Sequence, residues 1–460
     1  MRLRLSEILD ILKKHEIYNL HEDPEKLVLD SFVIDSRVSK EGSVFFALRG
    51  KKTDGHRFVK DAHSRGAKVA IVDRKIDEVE IIQIIVDSVA DALEDLAKNI
   101  IKKVDTKIIG ITGSNGKTTT KELIHRLLSD LTAESVFKNP GNLNTEIGLP
   151  LSILNYYNRE RILVLEFGIS KPGDMDKLVS IFEPNVGVFL NSGSAHVGNF
   201  KNKDEIFLEK SKMLKAMKKG WGILYGDDER FVKLAEDLRN IEFYFFGQRN
   251  GNVKLLKWKY NSKVLTTKVD FKIFEKFHSP EFKGIWNRGQ LLDLTAAICA
   301  VKAVGMDLSV DILKNFELPK NRFNVQRIGD FIVIDDTYNS SIESLKEALC
   351  TINHLDARRK VAVLGAILEQ GEKSLETHKE LGRLIDESTV DCAIVYSVFP
   401  DIRYSIGNMK NKVVMESSNL NEITDFLCSF LQSGDLIYFK ASRGVEMERV
   451  IEKVWEVFSK

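Results

Sequence analysis

Strand-length apolar runs alternate along this chain with longer stretches whose apolar positions recur at helical spacing. That is the pattern of parallel sheets covered by helices, so the expected fold class is α/β. The pattern breaks near residues 104 and 318, which predicts three units. In the first, 1–103, the amphipathic opening MRLRLSEILDILKKHEIY reads as a helix. SFVIDSR, SVFFAL, KVAIV and IIQIIV read as strands, with HRFVKDAHSRGA and DALEDLAKNIIKK as helices, which makes a small α/β domain. The second, 104–317, starts with the strand KIIGI, a Gly-rich turn and the helix TTKELIHRLL. It continues through RILVLEFGI, NVGVFLNSG and the helix IFLEKSKMLKAM, holds a β-rich insertion around 252–273, and resumes with a helix after Asn287. A central mononucleotide-binding sheet, parallel or mixed, is expected there. The third, 318–460, alternates FIVIDD, KVAVLG, DCAIVY and DLIYFK with helices, as a Rossmann-like domain does.

Composition then removes whole classes of function. Lys plus Arg (68) nearly cancels Asp plus Glu (67), and the resulting charge of +1 leaves no global field for a polyanion. Nucleic acid is therefore not the expected partner. The longest apolar runs, such as VGVFL, are far shorter than a membrane span, and the opening segment lacks the small-residue cleavage site of a signal peptide. A cytoplasmic location is expected. Cys299, Cys350, Cys392 and Cys428 show no CxxC or metal-ligand spacing and sit in apolar segments, so buried reduced thiols are expected.

The strongest chemical signal is GITGSNGKTTT. Between an apolar strand and a helix, its backbone N–H groups and the helix N-terminus form a cradle for phosphate. Gly113 and Gly116 allow close backbone approach, Ser114, Asn115 and Thr119 complete the turn, Lys117 neutralises the β- and γ-phosphates, and the Thr118 hydroxyl suits Mg²⁺. Ile111 stands where the longer phosphate-loop pattern has its first Gly, so the loop is a compact variant. Glu166 ends the apolar strand RILVLEF, where it is either a hard-oxygen Mg²⁺ ligand or a carboxylate facing water. From spacing alone, Lys210 is a solvated lysine on an amphipathic helix, and Asn287 either caps a helix or contacts a base.

TGSNGKTT, LEFGISKPGDM, NSGSAHVGNF, GIWNRGQLLDLTAA, LPKNRF, IDDTYNSS and KASRGVEME together resemble the Mur ligase family, the ATP-dependent amide-forming enzymes that build the peptide stem of peptidoglycan. DSRVSKEGSVFFALRGKKTDGHRF resembles the uridine-nucleotide-binding domain of its later-acting members, so the resemblance spans nearly the whole chain. It implies ATP and Mg²⁺ as cofactors and, because IDDTYNSS is closest to the type that joins D-alanyl-D-alanine to UDP-N-acetylmuramoyl-tripeptide, those two small molecules as partners of a monomeric enzyme. The runners-up are the type that adds one amino acid to the UDP-linked dipeptide, a folate-polyglutamate type, and a non-catalytic nucleotide sensor. By the same resemblance His196 holds a second Mg²⁺, and Lys210 is carbamylated into a metal ligand. Asn287 and Trp286 flank adenine, Arg322 approaches the phosphates, and Asp336 accepts from ribose hydroxyls. Ser36, Arg37, Gly50, Asp54, Gly55 and His56 carry the UDP end, and Asn144, Thr145 and Glu146 face the muramoyl substrate. Tyr338 and Asn339 belong to the acceptor side, and Lys440, Ser442 and Arg443 to the acceptor side or to domain closure. The departures from the family are Trp286 for His, Gln290 for Asn, Asn321 for Gly, Ser340-Ser341-Ile342 within the tract after Asp336, and Ala366-Ile367 for an Asp-Met pair.

Overall fold

The computed structural model describes residues 1–13, 15–50, 53–193, 199–308 and 310–458, without the side chains of residues 311 and 312. Among these residues the chain forms three large sheets in sequence order, each flanked by helices, in an α/β architecture. In the first sheet Ser31–Val33, Ser43–Phe46, Ala67–Val72 and Ile82–Ile85 run parallel, and Glu16–Tyr18 adds an antiparallel edge. The opening segment departs from the expected single helix. Only Leu5–Ile11 is helical, because Leu3–Arg4 pairs with Val28–Leu29 and Glu16–Tyr18 joins the sheet. An amphipathic pattern this short lacks the length to hold a helix against tertiary pairing.

The second sheet has Lys107–Thr112 at its centre, with Ile162–Glu166 on one side and Val186–Phe189 on the other, all parallel. Buried on both faces, these strands read as continuous apolar runs rather than alternating ones. Ile111, in the place of the missing Gly, is one of those wholly buried strand residues, so the loop starts only after Thr112. Neighbours on both sides of the central strand come later in the chain, which makes its C-terminal end a topological switch point, the place where open α/β sheets bind ligands. The β-rich insertion extends this sheet: Val253–Asn261 pairs in parallel with Glu242–Gly247 and then antiparallel with Thr266–Ile273. In the third sheet Phe331–Asp336, Asp435–Lys440, Arg359–Leu364, Cys392–Tyr396 and Val413–Ser417 are parallel, and Asn324–Ile328 is an antiparallel edge.

The three sheets are tied by polar contacts between units. Asn155 pairs with both backbone polar groups of Phe32, at 3.0 and 2.9 Å, joining the second unit to the first. Arg288 with Glu347 and Arg327 with the Ser262 carbonyl join the second to the third. No described helix is long and apolar enough to cross a membrane. All four cysteines are free. Cys299 is buried as expected, whereas Cys350 is exposed and Cys392 and Cys428 are half-buried, since their helical and strand-end positions fall at the rim of the apolar stripe.

Candidate active site

At the C-terminal end of Lys107–Thr112 the chain turns through Ser114 and Asn115 into the helix Lys117–Leu131. Gly116 is the N-cap, with φ +85°, and a Cβ there would collide with the Asp293 carboxylate, so the position requires glycine twice over. Asn191 pins the loop: its Oδ1 accepts from the Ser114 and Asn115 N–H groups at 3.1 and 3.0 Å, and its Nδ2 donates to the Asn115 carbonyl. Lys117 Nζ donates to the Gly113 carbonyl at 2.8 Å.

Glu166 lies at the switch point. Its Oε2 accepts from the Thr118 hydroxyl at 2.7 Å and its Oε1 from Asn144 Nδ2 at 2.7 Å. Burial pushes this carboxyl up, but Lys117, Lys121 and Arg322 outweigh burial and hold it below its ordinary range, so it is a carboxylate. The water-facing alternative does not describe it, because Glu166 is only 3% exposed. The segment NPGNLNTEIG is brought here by Lys121, one helical turn beyond Lys117, whose wholly buried ammonium donates to the carbonyls of Asn139 and Gly141. Asn139 Oδ1 in turn accepts from the Glu166 N–H.

Lys210 is not a solvated lysine. It is 2% exposed, its Nζ donates to the Gly113 carbonyl at 3.1 Å, and burial and then the charge of Lys117 push its pKa well down. Two lysines from different helices therefore share one loop carbonyl. His196 lies outside the described residues.

From the third unit Arg322 reaches across, donating to the Thr118 hydroxyl at 2.9 Å while its guanidinium stacks 3.8 Å from the Tyr338 ring centroid. It sits between two left-handed residues, Asn321 at φ +61° and Phe323 at φ +50°. Asn tolerates that region nearly as Gly does, so Asn321 for Gly preserves the backbone path. Phe323 does not tolerate it readily, and such stored strain is typical of a functional site. In the tract after Asp336, Ser341 caps the helix Ile342–Ile352 by accepting from the Ser344 N–H, which gives the serine a clear task. Ala366 and Ile367 are buried in the core and do not face the cleft.

Together these residues line one cavity of about 650 Å³. Ser114 to Thr119, Asn144, Thr145, Glu166, Asn287, Arg322, Asp336, Tyr338, Asn339, Lys440, Ser442 and Arg443 all face it. Gly113 and Lys210 sit directly behind the loop, and Glu146 lies outside the lining. Asn287 caps the helix Arg288–Ala303 in a reciprocal box with Gln290. Asp336 accepts from Lys440 Nζ at 2.6 Å and from the Tyr438 hydroxyl, and its Oδ1 accepts from the Phe323 N–H. Lys440 is thus an internal counter-ion under Asp336. Trp286 corrects the sequence reading: it is wholly buried against Phe282 and Phe316, and the aromatic wall of the cleft comes from Tyr225 and Phe246.

Ser36, Arg37, Gly50, Asp54, Gly55 and His56 are elsewhere, at the C-terminal ends of the parallel strands of the first sheet. His56 is buried there. Its Nε2 accepts from the Asp73 N–H, which leaves Nδ1 to donate to Asp54 at 2.7 Å, and Arg74 closes on Asp54 at 2.8 Å. Arg37 is exposed and paired with Asp35 at 2.6 Å. His56 therefore organises the crevice from beneath, while Arg37 stands at its surface.

Asn191, Lys121 and Asp293 escaped the sequence reading. Burial pushes the Asp293 carboxyl up to about 7, against the pull of Arg322 and Lys117. An unfolded Asp ionises near 3.8, so between these values folding must keep a proton that the unfolded chain gives up, and stability falls as pH rises. Asp293→Asn is expected to raise stability at pH 8 by up to about 4 kcal/mol and to change it little at pH 3, as thermal melts at the two pH values would read.

Three family models match consecutive segments of the chain: "Mur ligase family, catalytic domain" over residues 30–103, "Mur ligase middle domain" over 111–291, and "Mur ligase, glutamate ligase domain" over 321–443. The UDP-N-acetylmuramoyl-tripeptide–D-alanyl-D-alanine ligase of Bacillus subtilis is 30% identical over 441 residues, 94% of each chain. That of Borreliella burgdorferi is 28% identical over 98% of this chain and 99% of its own. Among solved structures, the MurF ligase of Thermotoga maritima in complex with ADP superposes with a TM-score of 0.85 at 35% identity, covering 94% of this chain and 99% of that one. MurF from Acinetobacter baumannii gives 0.87 at 25% identity, with 99% of both covered.

Proposed function

This chain belongs to the Mur ligase family, and from that premise we propose that it joins D-alanyl-D-alanine to UDP-N-acetylmuramoyl-tripeptide with ATP as the energy source. The observation that carries this reading is the reach of Arg322 from the third unit to Thr118 in the second. It puts the phosphate loop and the 336–344 and 440–444 segments on one cleft.

The chemistry follows from that placement. A carboxylate is a poor electrophile, and transfer of the γ-phosphoryl group to one of its oxygens makes an acyl phosphate. The acceptor amine attacks the acyl carbon, loses a proton, and expels phosphate carrying that oxygen. Phosphoryl transfer depends on position and charge, and Lys117 and Arg322 bring two cations to the phosphate side. Glu166 Oε2 and Thr118 Oγ1 are hard oxygens 2.7 Å apart, and together they would hold Mg²⁺. At these oxygens Mg²⁺ would supply positive charge toward the phosphoryl group. Lys210 as a carbamate would add an oxygen ligand nearby, and His196 would serve a second Mg²⁺. Tyr225 and Phe246 supply an apolar wall for the base, and Asp336 a carboxylate for the ribose. The crevice around Arg37, Asp54 and His56 takes the UDP end, so the units 1–103, 104–317 and 318–460 divide donor, ATP and acceptor among them. The substrates are small and soluble, and a cytoplasmic monomer suffices.

Phosphate release from ATP with UDP-N-acetylmuramoyl-tripeptide, comparing D-alanyl-D-alanine with single amino acids, tests the assignment. The expected outcome is release only with the dipeptide, and a product heavier by one condensed dipeptide. Release with a single amino acid and a UDP-linked dipeptide would move the chain to another member of the family.

A further inference from the structure

Five cations line the cleft, and among the described residues four of them are engaged by oxygen atoms of the protein. Lys117 donates to the loop carbonyls, Arg288 pairs with Glu347, Arg322 donates to Thr118, and Lys440 pairs with Asp336. The fifth, Arg443, begins the short turn Arg443–Val445 after the strand Asp435–Lys440, and it is exposed. Among the described residues its guanidinium makes no ion pair and donates no hydrogen bond. Its contact is with the ring of Tyr338, whose centroid lies 5.1 Å from Arg443 Cζ and 3.8 Å from Arg322 Cζ. One phenol ring therefore holds two guanidiniums, one turned to the phosphate loop and one uncommitted.

The acceptor has the complementary chemistry. A dipeptide carries its reacting amine at one end and an ionised carboxylate at the other, and a planar guanidinium binds a carboxylate through two parallel hydrogen bonds. We propose that Arg443 takes the C-terminal carboxylate of the acceptor and that Tyr338 fixes the spacing between that carboxylate and the phosphoryl group at Arg322. Two extended residues span about 7 Å, whereas a single amino acid spans about half that, so an acceptor anchored at Arg443 needs the second residue to carry its amine toward the phosphoryl group at Arg322. Acceptor length is thereby read between these two arginines. The inference rests on the ligase reading above and deepens it by naming the acceptor's anchor.

The test compares D-alanyl-D-alanine with D-alanyl-D-alaninamide, which keeps the amine and loses the charge, in the wild type, Arg443→Ala and Arg443→Lys. The wild type is expected to prefer the acid in kcat/KM by roughly ten- to a hundredfold, the range for a hydrogen bond to a charged group. In Arg443→Ala the acid should fall by that factor while the amide stays within about twofold, and Arg443→Lys should keep part of the preference. An equal loss on both acceptors, or an unchanged preference in Arg443→Ala, overturns the assignment while leaving the ligase reading standing. Failure of the wild type to ligate either acceptor overturns the ligase reading, and this inference with it.

Discussion

Glu166→Gln is expected to lower the ligation rate by about 10²- to 10³-fold at ordinary Mg²⁺ concentrations, the scale seen when one preorganised electrostatic group is removed from an active site. The substitution keeps the shape of the side chain and removes its charge. Burial of Glu166 is tolerated because Lys117, Lys121 and Arg322 surround it. Without the carboxylate these cations face one another, and Thr118 and Asn144 lose a charged acceptor they now share at 2.7 Å each. Two readouts separate a metal role from a structural one. The Mg²⁺ concentration giving half-maximal rate should rise in the variant, and the melting temperature should move by only a few degrees. Full activity at the usual Mg²⁺ concentration would exclude Glu166 as a ligand.

Lys210→Ala should cost at least as much, and in a way no ordinary lysine would. Burial and the neighbouring charge of Lys117 favour the neutral amine, and a neutral amine adds to CO₂, forming an N–C bond and releasing a proton to leave a carbamate. Such a carbamate would place an oxygen ligand near Glu166 where the amine stands. A short carboxylic acid entering the space left in Lys210→Ala is expected to restore part of the rate, and wild-type protein equilibrated with ¹³C-labelled CO₂ should show one carbamate carbon resonance that the variant lacks. Loss without rescue and without that resonance would leave Lys210 as an unmodified amine holding the Gly113 carbonyl.

The strand, turn and helix around 107–131 were legible because every signal in them agrees: a doubly buried strand reads as an apolar run, Gly116 marks the turn, and the helix opens on Lys-Thr. Glu166 was legible for the same reason, as a charge ending an apolar strand. Lys210 was not, since the helix Lys203–Lys215 buries Glu209, Lys210 and Ser211 in succession, and polar residues at helical spacing look like a solvated face. Trp286 misled because a large ring beside a helix cap suits a base and a core equally well, and only packing against Phe282 and Phe316 decides between them. Asn191 and Lys121 hold backbone of distant segments, and Asp293 packs beneath Gly116 from another helix, so no spacing reveals them. The i, i+4 relation of Lys121 to Lys117 was the one available hint. Asn321 and Ser341 looked like departures in sequence and became explicable only as a left-handed residue and a helix cap.

On the ligase reading this cleft activates a carboxylate by phosphorylating it before any amine attacks. The most direct test uses UDP-N-acetylmuramoyl-tripeptide labelled with ¹⁸O in the reacting carboxylate, turned over with ATP and D-alanyl-D-alanine, followed by mass analysis of the released phosphate. Transfer through an acyl phosphate predicts one ¹⁸O in each phosphate derived from a fully labelled carboxylate. Unlabelled phosphate formed together with the amide would contradict it, because the carboxylate oxygen would then have left by another route.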